Sequence, residues 1–334
     1  MRALYLMLAL ALASAPFAAA DDSSQKLAAG ELRATGSSPQ LPIRPHLGPK
    51  KSLENYRVAA EEFSIVLGAP IVAKKTIQRD VHFSSAVKTQ WPEIHGTYYQ
   101  PRGLKAKAPA AVVVHHLGGS VEAEKILAKH FATNGVAAVF IYMPNYGPRQ
   151  IKGTKQGFLQ SQKPELAFKT FQQAVLDVIR AADFLRSRPE VDPSRVGAVG
   201  VSLGAFVTAV ARGVDPRLRR TVLVMAGGGL ADMFLNMPEA KELLSHTKLD
   251  LAQLPKILHP VDPLTFAERV HPSDVLMLNA KRDELVPTES TLRLQRALGG
   301  PRLIWFDCGH YGLALHIGKV MNLALDHLKG RDPL

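Results

Sequence analysis

The chain has 334 residues, 46% hydrophobic and 21% charged, with 25 Gly and 23 Pro. That balance excludes a largely disordered, collagen-like or multi-span membrane protein, and the length suffices for one large α/β domain or two smaller ones. Lys and Arg number 41 against 29 Asp and Glu, a formal net charge of +12. The basic residues come in twos and threes (Lys50-Lys51, Lys74-Lys75, Arg217 to Arg220) and form no stripe or reading module, so no nucleic-acid partner is expected. A lone cysteine, Cys308, rules out an internal disulfide, a zinc ribbon and a dithiol redox site.

Residues 1–20 read as a secretory signal. Arg2 supplies positive charge, Leu4 to Leu12 an apolar core, and Pro16 breaks the run before Ala18-Ala19-Ala20. The run is short for a membrane span, so no stable span is expected after cleavage. The expected address is a bacterial periplasm or the secreted fraction. Residues 21–50, rich in Gly, Ser and Pro, read as a linker or flexible arm, and 51–334 as the main domain. Helical spacing of apolar residues from Leu53 to Leu67 predicts a leading helix. Val81 to Phe83 and Ile94 to Tyr99 then read as an antiparallel pair of strands.

From there buried strands alternate with amphipathic helices. Strand-like runs are Ala110 to His115, Val136 to Met143, Val196 to Val201, Thr221 to Met225, Val275 to Leu278 and Leu303 to Phe306. Helices fit Val121 to Thr133, Leu166 to Leu185, Leu203 to Arg212, Glu289 to Leu298 and Leu313 to Leu328. This rhythm predicts an α/β protein with a mostly parallel sheet covered on both faces. Gly227 to Val270 interrupts it and reads as a small helical cap insertion. There Met233, Phe234, Leu235 and Met237 either face a substrate or pack the cap onto the body.

Gly200-Val201-Ser202-Leu203-Gly204 falls where a strand ends and a helix begins, the setting a nucleophile elbow requires. A serine hydroxyl needs a base, and the base needs an orienting acid. In this architecture acid and histidine follow the serine, each behind a later strand. Asp283 follows Val275 to Leu278, and His310, set between Gly309 and Gly312, follows Leu303 to Phe306. Asp262, Glu284 and Asp307 are rival acids. Two backbone N–H groups must receive a developing oxyanion. Leu203, directly after the serine, offers one. His115-His116-Leu117-Gly118-Gly119 offers the other, from Leu117 by spacing with Gly118 as second choice. A metal on His115 and His116 is disfavoured, because neighbours on an extended segment point to opposite faces. No metal site is expected.

From about Val81 to Leu328 the sequence resembles the α/β-hydrolase superfamily, most closely its dienelactone-hydrolase-like and acetyl-esterase-like bacterial branch. The residues that carry the resemblance are Pro109 to Gly119, Gly200 to Gly204, Asn279 to Pro287 and Gly309 to Gly312. Tyr142 to Arg149 also resembles the loop after the next strand in that branch. There Tyr146 and Arg149 either contact substrate or tie the loop down. The resemblance implies a Ser202–Asp283–His310 triad and no cofactor. The chain carries Ser202 where dienelactone hydrolases carry cysteine, and His116 where the usual His-Gly-x-Gly-Gly pattern has its first glycine. The expected function is an exported serine esterase acting on a small-molecule or polymer-borne ester. A peptidase of the same fold and a catalytically dead binding protein are the alternatives. The oligomeric state stays open.

Overall fold

In the computed structural model, residues 32–38, 50–57, 61–87, 89–118, 120–153, 164–236 and 251–331 are described. The expected signal segment, most of the 21–50 arm and Met237 lie outside them. Strands β1 (Leu32–Ser38), β2 (Glu61–Leu67), β3 (Ile71–Val72), β4 (Thr76–Ser84) and β5 (Glu93–Pro101) come first, with helix α1 (Lys50–Glu54) between β1 and β2. Then follow β6 (Ala108–Val114), α2 (Glu122–Thr133), β7 (Ala137–Ile141), α3 (Pro164–Arg186), β8 (Val191–Val201), α4 (Leu203–Val214) and β9 (Thr221–Val224). Short helices α5 (Leu230–Leu235) and α6 (Leu254–Leu258) precede β10 (Val275–Ala280), α7 (Thr288–Ala297), β11 (Arg302–Phe306) and α8 (Ile317–Lys329).

The strands form one sheet in the order β1-β2-β4-β5-β7-β6-β8-β9-β10-β11, with β3 on β4. Pairing is antiparallel from β1 to β7 and parallel from β7 through β6 to β11. The expected antiparallel pair is β4 and β5, with Phe83 opposite Ile94. Every residue of β6 is buried, and alternate ones serve different layers. Val112 and Val114 join the core beneath α3 and α4, while Ala111 and Val113 join the core beneath α2 and α8. A strand covered on both faces has no solvent side, so its sequence is apolar throughout rather than alternating. Each such valine contributes roughly 1.5–3 kcal/mol of burial.

Two expectations for the N-terminal region are corrected. No single helix runs from Leu53 to Leu67. α1 ends at Glu54, and residues 61–67 form β2, where Phe63, Ile65 and Leu67 are buried. Beyond residue 61 the buried positions alternate with a period of two, and their abutment with Leu53 and Tyr56 mimics a helical spacing. Within the expected arm, 32–38 is a strand paired along its whole length with β2. Gly36 packs directly against the neighbouring strand, where an added Cβ would lie 2.4 Å from the Phe63 ring.

Within 227–270 the described elements are short helices and 3-10 turns. Phe266 is fully buried, and a Cβ on Gly213 of α4 would come 2.4 Å from its Cβ. Met233 is partly buried against the core, and its sulfur accepts a hydrogen bond from Ser290 Oγ at 3.5 Å. No helix among the described residues is long and apolar enough to cross a membrane.

Candidate active site

The parallel strands all end at one edge of the sheet, and the chemistry predicted from the sequence gathers there. Ser202 connects β8 to α4 with φ 51° and ψ −115°, a left-handed conformation that a non-glycine residue rarely holds. Its N–H donates to the Val224 carbonyl at 2.8 Å, tying the turn to β9. Both flanking glycines are sterically obligatory. A Cβ on Gly200 would lie 2.2 Å from the Gly204 carbonyl oxygen. One on Gly204 would lie 2.5 Å from the carbonyl oxygens of both Val114 and His115. The turn is therefore clamped between its own helix and the end of β6.

Ser202 Oγ is 3.0 Å from His310 Nε2. On the other side of the ring, His310 Nδ1 is 2.9 and 2.8 Å from the two Asp283 carboxylate oxygens. A carboxylate only accepts, so Nδ1 carries the proton and Nε2 presents its lone pair to the serine hydroxyl. The Asp283 side chain has no exposure and that of His310 has 7%. Asp283 Oδ1 also accepts the N–H groups of Leu285 and Val286 at 2.9 and 2.8 Å, which fixes the carboxylate in the turn behind β10.

The rival acids lie elsewhere in this network. Asp262 caps turns, accepting from the N–H groups of Gly229, Leu230 and Leu264. Asp307 pairs with Arg282 at 2.6 Å, with both side chains largely exposed. Glu284 accepts the backbone N–H of His310 at 3.1 Å. It supports the histidine turn without touching the ring nitrogens. Only its place beside Asp283 pointed to it in the sequence.

Leu203 opens α4, and the first N–H groups of a helix have no intrahelical acceptor. The loop after β6 is ordered by two histidines. His115 is fully buried, its Nδ1 donates to the His116 carbonyl at 2.6 Å, and its Nε2 accepts the Met143 N–H at 3.1 Å. Burial pushes its pKa down to about 4, so the ring stays neutral as the Nδ1–H tautomer. A trans peptide is planar, with C=O and the next N–H pointing in opposite directions. With the His116 carbonyl turned in towards buried His115, the Leu117 N–H turns the opposite way. His115 has both nitrogens engaged and is unavailable to a metal. Among the described residues no group of three or more His, Cys, Asp or Glu is arranged to hold one.

Two readings stood open for Tyr146 and Arg149, and both side chains are buried and held within the loop. Tyr146 is 2% exposed and packs edge-on against His115, with ring centroids 4.6 Å apart. The Arg149 side chain is 1% exposed, pairs with the fully buried Asp177 at 2.8 Å, and donates to the Tyr142 carbonyl at 2.7 Å. The Arg149–Asp177 pair anchors the loop to α3. The partner Asp177 lies 28 residues downstream, on a helix face that the sequence marked only as amphipathic.

Parts of the chain and its overall fold are similar to those of known proteins. The acetyl xylan esterase (AXE1) family model matches residues 74–226, and the prolyl oligopeptidase family model matches residues 161–307. A protein named as a thiohydrolase from Arthrinium phaeospermum is 31% identical over 132 residues, which is 39% of this chain and only 38% of that protein. Among solved structures, an acetyl xylan esterase from Paenibacillus sp. R4 superposes with a TM-score of 0.62 at 23% identity, covering 82% of this chain and 90% of that one. A protein described as a dienelactone hydrolase from Klebsiella pneumoniae gives a TM-score of 0.51 at 16% identity, covering 77% and 99%. The order of the sheet, the strained serine turn and these neighbours agree on one architecture, and the chain has the α/β-hydrolase fold.

Proposed function

We propose that the protein is an exported serine hydrolase that cleaves carboxylic esters with a small acyl group. The observation that carries this reading is the unbroken relay from Ser202 Oγ through His310 to buried Asp283, at 3.0 Å and then 2.8–2.9 Å. The match to the acetyl xylan esterase model supports ester chemistry and a small acyl group. Export rests on the apolar run and small residues of the first twenty positions.

Ser202 Oγ attacks the acyl carbonyl while its proton passes to His310 Nε2. Asp283 holds Nδ1–H and stabilises the imidazolium that forms. The carbonyl electron pair becomes an oxyanion received by the N–H groups of Leu203 and Leu117. As the tetrahedral centre collapses, the ester C–O bond breaks and His310 returns its proton to the leaving alcohol. A water then gives its proton to Nε2 and attacks the acyl-serine, the acyl–Oγ bond breaks as His310 returns the proton to Ser202 Oγ, and the carboxylic acid leaves. Every proton and electron pair is accounted for by these residues, the ester and water.

Hydrolysis of p-nitrophenyl esters from acetate to palmitate tests the reading. The expected result is activity that falls with acyl length and is absent from a folded Ser202→Ala variant. A folded Ser202→Ala variant that keeps activity overturns it. A second reading, a peptidase on the same scaffold, is favoured by the prolyl oligopeptidase match over 161–307. Aminoacyl amides cleaved faster than the matching esters would select it.

A further inference from the structure

The resemblance expects glycine at position 116, yet the chain places a histidine there and supplies it with a buried acid. We infer that Glu124 and His116 are positioning residues that aim the Leu117 N–H at the oxyanion. The inference rests on the hydrolase reading of the same site.

Placement comes from the sheet. β6 and β8 are parallel neighbours with Val114 opposite Gly200, so the loop that follows β6 and the serine turn that follows β8 leave the sheet side by side. Glu124, in the first turn of α2 and 2% exposed, accepts twice through Oε1. The backbone N–H of His116 reaches it at 3.2 Å and the imidazole Nδ1 at 2.6 Å. Residue 116 thus has its N–H held by Glu124 and its carbonyl held by His115, and the next peptide N–H, that of Leu117, has its direction set by both.

The ring itself completes the lock. A Cβ on Gly118 would lie 2.8 Å from His116 Nε2, so the imidazole covers residue 118 and only glycine fits beneath it. Where a glycine at 116 would leave the loop free to turn, the chain has a side chain pinned at both its backbone and its ring. Burial works against charge on both partners. Their mutual hydrogen bond and attraction outweigh it, raising the pKa of His116 and lowering that of Glu124, so each partner favours the charged form of the other. A buried ion pair is weak evidence for added stability. Its use here lies in orientation.

The test measures the rate at which a fluorophosphonate labels Ser202, together with kcat and KM for p-nitrophenyl acetate, in wild type, Glu124→Ala and Glu124→Gln. Phosphonylation passes through an oxyanion and does not depend on the ester chosen. Removing one oxyanion donor outright costs about 10²–10³ in kcat, and a misdirected donor costs less. Glu124→Ala is therefore expected to slow labelling and lower kcat by about 10- to 100-fold, with KM within about twofold. Glu124→Gln, whose amide oxygen still accepts both bonds, is expected to recover most of the loss. Thermal melts show whether each variant is folded. If Glu124→Ala does not fold, His116→Ala removes the ring's half of the clamp while keeping the backbone bond to Glu124, and is expected to slow labelling to a smaller but measurable extent. Labelling at the wild-type rate in a folded Glu124→Ala or His116→Ala variant overturns the inference, as does a loss that Glu124→Gln fails to recover. A wild-type protein that is not labelled overturns the hydrolase reading, and the inference with it.

Discussion

Two histidine–carboxylate pairs flank the nucleophile, and their difference shows how one residue type is put to two uses. His310 is held by Asp283 through Nδ1 alone and offers Nε2 to Ser202. On the other flank, His115 has both nitrogens committed to backbone groups, and His116 is bonded through Nδ1 to a buried glutamate. His310 and His116 each anchor Nδ1 on a carboxylate, and what separates them is where Nε2 faces: that of His310 meets the Ser202 hydroxyl at 3.0 Å, while that of His116 lies over Gly118. His115, with both nitrogens bonded to the backbone, serves as scaffolding. Side-chain identity does not distinguish the two flanks; the group that each Nε2 faces does.

The largest expected effects lie on the proton-transfer flank. Ser202→Ala and His310→Ala should each lower kcat by about 10⁶-fold, and Asp283→Asn by about 10⁴-fold through the wrong tautomer. Unfolding curves should stay close to wild type, and steady-state kinetics on a p-nitrophenyl ester read the losses. Equal losses of activity and stability would erase the contrast between the flanks.

On the scaffolding flank the effects should appear in stability. Asp177→Ala leaves the Arg149 guanidinium buried and unpaired beneath the loop, a change that costs about 3–5 kcal/mol. Urea denaturation measures it.

His115 supplies a pH-dependent counterpart. Its folded pKa of about 4 lies below the ordinary histidine value of 6.5, so the unfolded chain takes up the proton first as pH falls. Its contribution is complete above pH 6.5, declines between about 6.5 and 4, and is flat below. The loss over that window is roughly 3 kcal/mol. Between pH 7 and 4.5 the unfolding free energy from urea denaturation should fall by roughly 2–3 kcal/mol more in wild type than in His115→Asn.

The smallest effect belongs to the exposed Arg282–Asp307 pair beside the histidine turn. Arg282→Ala should change stability by no more than about 1 kcal/mol, and less at high salt.

Much of this was legible in the sequence because it rests on local pattern. The continuous apolar run of β6 and the Gly200 to Gly204 turn state their own burial and conformation. Asp283 and His310 could be placed because each follows an apolar strand and sits in a turn. What stayed hidden depends on partners distant in the chain. Nothing local distinguishes Glu124 from any helix-surface glutamate until His116, eight residues earlier, is folded against it. The role of Arg149 stayed open between binding and anchoring because its partner Asp177 is on α3. β1 looked like a linker because Phe63, against which its Gly36 packs, is on β2, and residues 53–67 looked helical because two short periods abut.

The central claim is that Ser202 carries the acyl group. Brief incubation with p-nitrophenyl acetate, acid quenching and peptide mass mapping test it most directly. The account predicts an acetyl adduct on the peptide containing Ser202, released on standing in water and absent from a folded Ser202→Ala variant. Hydrolysis of the ester by that variant at the wild-type rate, or an adduct confined to another residue, would contradict it.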